Sequence, residues 1–248
     1  MINNFKIYAI KLIWHFHKLG ILPVFLFSRK YKKKFKAREI FFNQKIHFNN
    51  NGYYYLYPGI KEDNLNEYYK LFYWNNRGKT EGVNDRDISH FQIISSYTDF
   101  LHYKNLNFVN FGAGHGGISH LIHATGNNVI NIEPSDLMLK YSTRYRKIDS
   151  FSELVERVDF FYSSHSLEHV SNIDDFLFNL ISKLNNNAII FIEVPNSELP
   201  SNGGINGEIV LPHTYYFTEK FFKNLPFNQI YLQLKDDVII YLGTYTNA

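Results

Sequence analysis

The chain has 248 residues, 45% hydrophobic and 18% aromatic, enough apolar content for one sizeable packed core or a core with an extension. It contains no cysteine, which excludes disulfides, thiolate metal sites and thiol nucleophiles and leaves the cytoplasm as the expected location. The net charge of +3 conceals an asymmetry: residues 1–38 carry ten lysines and arginines and no acid, while the rest of the chain sets 16 basic against 23 acidic side chains.

Residues 1–42 form the first expected unit. Phe5, Tyr8, Leu12, Phe16 and Leu19 recur at three- and four-residue steps, so the spacing predicts an amphipathic helix closed by Gly20. Lysines, histidines and Pro23 interrupt the apolar run, which falls short of the roughly 20 apolar residues of a membrane span. The segment also lacks the clean apolar centre and cleavage site of a signal peptide. Such a helix suits docking on its own domain, or peripheral contact of residues 1–38 with an anionic membrane face. Nucleic-acid phosphate is the least favoured partner.

Residues 43–84 are aromatic and turn-rich and read as a cap segment. Within it Tyr73, Trp74 and Arg77 offer a stacking surface and an anion clamp, the expected contacts for a sugar, nucleotide or phosphate-bearing acceptor. The third unit, 85–248, opens with Asp85 as the expected N-cap of a helix that turns Ile88, Phe91, Ile94, Tyr97 and Leu101 inward. Beyond Asn107 the apolar runs FVNF, NVINI, VDFFY and AIIFIEV alternate with helical segments near 116–125, 135–144 and 173–184. That alternation predicts an α/β fold with a parallel sheet and crossover helices. The last two runs, QIYLQL and VIIYLGTY, are separated by three residues and predict an antiparallel hairpin.

The loop Gly112-Ala113-Gly114-His115-Gly116-Gly117 follows the first of these strands and satisfies a nucleotide-binding glycine pattern. It lacks the Gly-Lys-Ser/Thr of a phosphate-binding P-loop. Glu133 closes the second strand twenty-one residues after Gly112, where a carboxylate accepts from the two ribose hydroxyls. Nicotinamide dinucleotide and S-adenosylmethionine (SAM) both satisfy this much.

Four blocks in order separate them. FVNFGAGHGG, VINIEPSDLML, the stretch VDFFYSSHSLEHVSNIDDFLFNLISKLNNNAIIFIEVPN and PHTYYFTEKFFKNLPF resemble the motifs of class I SAM-dependent methyltransferases over about residues 85–248. The resemblance implies a Rossmann-like, seven-stranded, mostly parallel sheet ending in an antiparallel hairpin, with the N-terminal helical and aromatic segments as an extension. It implies SAM as cofactor. Gly112, Ala113, Gly114 and Gly116 would border its amino-acid end, Glu133 and Pro134 the ribose, and Asp149 the adenine, with Ser164 and His165 facing the donor. One position departs from the pattern: Asn110 stands where the family places an acid, and an amide accepts a hydrogen bond without attracting an ammonium as a carboxylate does.

A hydroxyl acceptor needs a base, and a histidine titrating near neutrality suits that task. His165, just past the fourth strand, and His213, in a loop the resemblance places over the acceptor, are the two candidates. HSLEH also has the H-x-x-E-H spacing of certain zinc sites, but the family pattern already accounts for Leu-Glu-His, and no metal ligand is assigned. The chain reads YSSH where amino-methylating DNA enzymes carry Asn/Asp-Pro-Pro-Tyr/Phe, and without cysteine the covalent route to a pyrimidine carbon is closed. The expectation is therefore O-methylation of a small glycan-related, nucleotide-linked or phosphorylated intermediate of surface-polysaccharide biosynthesis. An NAD-dependent oxidoreductase and a noncatalytic adaptor of the same fold, at membrane or nucleic acid, are the alternatives.

Overall fold

The computed structural model describes residues 44–68, 82–135, 145–197, 213–235 and 237–247. The basic segment 1–42 lies outside them, as do Tyr73, Trp74, Arg77 and the expected helix over 135–144 beyond Ser135.

The larger sheet has seven strands in the order β5-β4-β3-β6-β7-β10-β9. Its parallel part comprises β3 (Asn107–Phe111), β4 (Asn128–Ile132), β5 (Arg146–Ile148), β6 (Val158–Ser164) and β7 (Leu184–Pro195). β9 (Asn228–Leu234) and β10 (Val238–Thr244) form the expected hairpin, and β10 runs antiparallel to β7. Side chains alternate between faces along a strand, and here both faces are covered. Phe160 and Tyr162 pack with Phe108, Phe191 and Ile118 on one side, whereas Phe161 packs with Val109, Ile190 and Ile192 on the other. This double burial is why the runs read as continuously apolar. Helix α4 (Ile173–Lys183) covers the second face with Phe176 and Leu180, and Asn172 caps it by accepting from the amides of Asp174 and Asp175.

The first face is covered by α2 (Asp85–Tyr97) and α3 (Gly117–Ala124), and α2 departs from its sequence reading. Its N-cap is Asn84, in a reciprocal capping box with Asp87, and not Asp85. Ile88, Tyr97 and Leu101, expected to point inward, are exposed, and the buried positions are His90 and Ile94. The apolar spacing misled because the helix buries a polar stripe: the His90 ring is held between Tyr162 Oη (2.7 Å) and Glu193 Oε2 (2.9 Å).

Part of the aromatic segment forms a second sheet, with β1 (Lys45–Asn49) and β2 (Tyr53–Tyr57) as a hairpin and β8 (Tyr215–Phe217) pairing on β2. Gly52, at φ +97° in the hairpin turn, lies so close to the short helix α5 (Glu219–Lys223) that a Cβ would stand 2.4 Å from the Phe221 nitrogen. Tyr53 then packs edge-on against Tyr215 and Phe221. The hairpin thereby braces the C-terminal segment that carries His213. Helix α1 (Glu62–Tyr68) follows it.

Candidate active site

The carboxyl ends of the parallel strands open onto a cavity of about 910 Å³, at the upper end of the range for small-ligand sites. Asn110, the whole loop from Gly112 to Gly117, Glu133, Pro134, Asp149, Ser164 and His165 all line it. Twelve positions scattered over 56 residues of sequence are thus brought to one rim, as expected where strands leave a parallel sheet.

The loop keeps its shape by main-chain means. Gly112, Gly114 and Gly116 have φ of +70°, +51° and +73°, in the left-handed region that favours glycine. Gly112 and Ala113 donate to the Ile132 carbonyl, Gly116 donates to Ala113, and Gly114 donates to Glu133 Oε2 at 2.9 Å. Two glycines are also required by close approach: a Cβ on Gly112 would meet Ser166 Oγ at 1.9 Å, and one on Gly117 would meet Asp87 Oδ2 at 2.1 Å. The amides therefore brace the turn, and the loop as a whole lines the cavity.

Asn110 is buried and donates to Ser119 Oγ (2.9 Å), which donates to Asn131 Oδ1 (2.6 Å). This ladder stitches β3, α3 and β4 together below the loop. Glu133, 3% exposed, accepts from Gly114 and from the Ser135 amide, so the acid after β4 is tied to the loop across the crevice. Asp149 is exposed and pairs with Lys147 at 2.7 Å.

The opposite wall, with Ser164, His165 and His169 at its surface, is backed by buried side chains. Glu193, near the end of β7 and 4% exposed, accepts from Ser164 Oγ (2.9 Å), contacts His165 Nε2 (3.3 Å), binds His90 and lies 3.8 Å from Arg86 Nε. Burial alone would raise its pKa, but His165 and His90 overcome that and hold the carboxyl well below the usual range. His165 has φ +51°, a strained value for a residue with a side chain, and its amide is anchored on the Glu193 carbonyl. Its ring spans two carboxylates, Glu193 and Glu168, the latter 3.6 Å from Nδ1. Burial lowers the His165 pKa, and the pull of Glu168 and Glu193 outweighs it, raising the value to about 9.

Glu168 lies on the single turn Leu167–His169, is 1% exposed, and neither of its oxygens has a hydrogen bond. Besides His165, its Oε1 has His169 Nε2 at 3.8 Å and His213 Nε2 at 4.0 Å, and the rings of His169 and His213 meet edge-to-face at 4.8 Å. Thr214 clasps this assembly by donating its amide to the Glu168 carbonyl and its hydroxyl to those of Glu168 and Val170. Glu168, His169 and His213 are also the group, among the described residues, whose donor atoms approach within 4.8 Å and could hold a metal ion. His169 lines the cavity, whereas His213 is not among the lining residues.

Four participants escaped the sequence reading. Arg86, Asp87 and His90 sit on a helix read only for its apolar spacing, while Glu193 carried a signal that could have been used, an acid inside an otherwise apolar strand.

The family model for a methyltransferase domain matches residues 75–242. No curated protein matches. Among solved structures, the magnesium protoporphyrin IX methyltransferase of Synechocystis PCC 6803, with bound SAH, is similar with a TM-score of 0.53 and 13% identity, over 75% of this chain and 100% of that one. An S-adenosylmethionine-dependent methyltransferase from Clostridium acetobutylicum is similar with a TM-score of 0.50 and 12% identity, over 66% of this chain and 93% of that one. At such identities the likeness establishes the fold, and it is the same fold that the strand order describes. The match over residues 75–242, joined to that fold and to the glycine loop at its sheet edge, makes this chain a member of the methyltransferase-domain family within the class I SAM-dependent methyltransferases.

Proposed function

We propose that the protein methylates a hydroxyl oxygen of a small acceptor, a glycan-related, nucleotide-linked or phosphorylated intermediate of surface-polysaccharide biosynthesis, in the cytoplasm. When bound, the sulfonium of SAM supplies an activated methyl group. The chain fits such a donor at the cavity rim, where the glycine loop 112–117 and the buried Glu133 carboxylate tied to Gly114 line the same space. Glu133 would take the ribose hydroxyls, Asp149 the adenine edge, and Ser164 and His165 the surroundings of the sulfonium.

The observation that carries the hydroxyl reading is the buried Glu168 carboxylate with imidazoles on three sides. A hydroxyl oxygen forming its bond to the methyl carbon, as the carbon–sulfur bond breaks, must release a proton, and the imidazole that accepts it becomes a cation in need of a counter-charge. Glu168 stands ready to be that charge. His165 is already cationic at neutral pH, without a lone pair to offer, and acts as a charged hydrogen-bond donor. The base role passes to the imidazole pair of His169, at the cavity wall, and His213 behind it. Support for a sugar- or phosphate-bearing acceptor comes from Tyr73, Trp74 and Arg77, and support for membrane contact from the basic residues 1–38.

The test is mass spectrometry of cell extract incubated with the protein and trideuteromethyl-labelled SAM. Label on an oxygen of a sugar- or phosphate-containing small molecule is expected. Label on nitrogen or carbon would overturn the O-methylation reading, and donor binding without any transfer would favour the adaptor.

A further inference from the structure

The first turn of α2 packs directly on the glycine loop and brings two opposite charges to the cavity side by side. Asp87 is half-buried, accepts from the Asn84 amide at 3.0 Å and from the Ile118 amide at the start of α3, and lies against the Cα of Gly117. Arg86 also lines the cavity, with a side chain 56% exposed, and its one ion-pair contact among the described residues is the 3.8 Å approach of Nε to Glu193. No second carboxylate among the described residues comes within ion-pair distance of its guanidinium. His115, on the loop beside them, has its pKa lowered by burial against the pull of Asp87, so it adds little positive charge near neutrality. Asn110 adds no charge at all, and its Nδ2 donates to Ser119.

A cation and an anion presented together beside a bare main-chain loop match a ligand that carries both charges on one carbon, which is an α-amino acid zwitterion. The methyl donor ends in that group. We propose that Arg86 binds the α-carboxylate and Asp87 the α-ammonium of the donor's methionyl end, the two together replacing the acid absent at Asn110. The inference rests on SAM as cofactor and adds the residues that select its amino-acid end.

Calorimetric titration of three ligands into the full-length protein separates the possibilities. These are S-adenosylhomocysteine, its decarboxylated analogue, and 5′-methylthioadenosine, which keeps the adenosine and thioether and lacks the amino acid. In Arg86→Gln, S-adenosylhomocysteine is expected to lose about tenfold or more in affinity, the worth of a charge-assisted hydrogen bond, while the decarboxylated analogue and methylthioadenosine change by less than about twofold. In Asp87→Asn, the two amine-bearing ligands weaken by about tenfold and methylthioadenosine is again spared. Equal losses for all three ligands in Asp87→Asn would reduce Asp87 to a helix cap and overturn its half of the proposal. An unchanged preference for the carboxylated ligand in Arg86→Gln would overturn the other half. Failure of the unaltered protein to bind any of the three would instead remove the cofactor reading itself.

Discussion

The two walls of the cavity are made differently. On the β3-β4 side the site is main chain: three left-handed glycines, amides paired to carbonyls, and one carboxylate, Glu133, tied to the loop it faces. On the β6-β7 side it is side chain: His165 and His169 line the cavity, and behind them Glu168 and Glu193, both nearly fully buried, gather imidazoles from α2, from the turn after β6 and from the segment before β8. A main-chain wall binds the invariant part of a ligand, because backbone shape offers little to vary. A side-chain wall can change its chemistry one residue at a time, which suits the acceptor.

If that contrast is right, the largest loss of stability comes from the side-chain wall. Glu193→Ala strands His90, His165 and the Ser164 hydroxyl around an empty buried site and is expected to cost about 3–5 kcal/mol in denaturant unfolding. Gly112→Ala comes next, at about 2–4 kcal/mol, from a Cβ forced into left-handed backbone and onto Ser166. It should also abolish calorimetric SAM binding, whereas Glu193→Gln, which keeps the wall filled, should leave binding measurable. Equal damage to binding from both would erase the distinction between the walls.

A smaller effect sharpens the electrostatics. The His165 pKa is raised from 6.5 to about 9 in the folded state, so its contribution is complete below pH 6.5 and is lost as pH climbs through 9. Glu193 is lowered, so its contribution is present above the ordinary carboxyl value of 4.5 and is lost in acid. Stability should therefore peak between these limits and fall by about 1–2 kcal/mol on the alkaline side. His165→Gln should flatten the alkaline slope and leave the acid slope in place. The smallest effect is expected at Asp149→Asn, which removes the charge of an exposed pair with Lys147 and costs less than about 1 kcal/mol in thermal unfolding.

The main-chain wall was legible in the sequence and the side-chain wall was not, for a reason visible in particular residues. Gly112 to Gly117 lie together, so their spacing alone betrays the turn, and Glu133 follows at the end of the next strand. Glu168 and His169 were visible as a motif, but their meeting with His213, forty-four residues on, depends on Thr214 clasping the turn after β6 and on the β1-β2 hairpin bracing β8. His90 could not be found by looking for apolar spacing, because it is buried by virtue of its partners Tyr162 and Glu193 on two other strands.

The amino-acid order by itself determined the α/β class, the parallel strands, the closing hairpin and the glycine crevice, since these follow from apolar periodicity and backbone freedom over a few residues at a time. Only the tertiary structure decided which face of α2 is inward, that His165 is held between two carboxylates, and that Arg86 and Asp87 look onto the loop. Those outcomes turn on charge pairing across distant segments in a site where burial makes every unpaired charge costly, and no local pattern records such an energy.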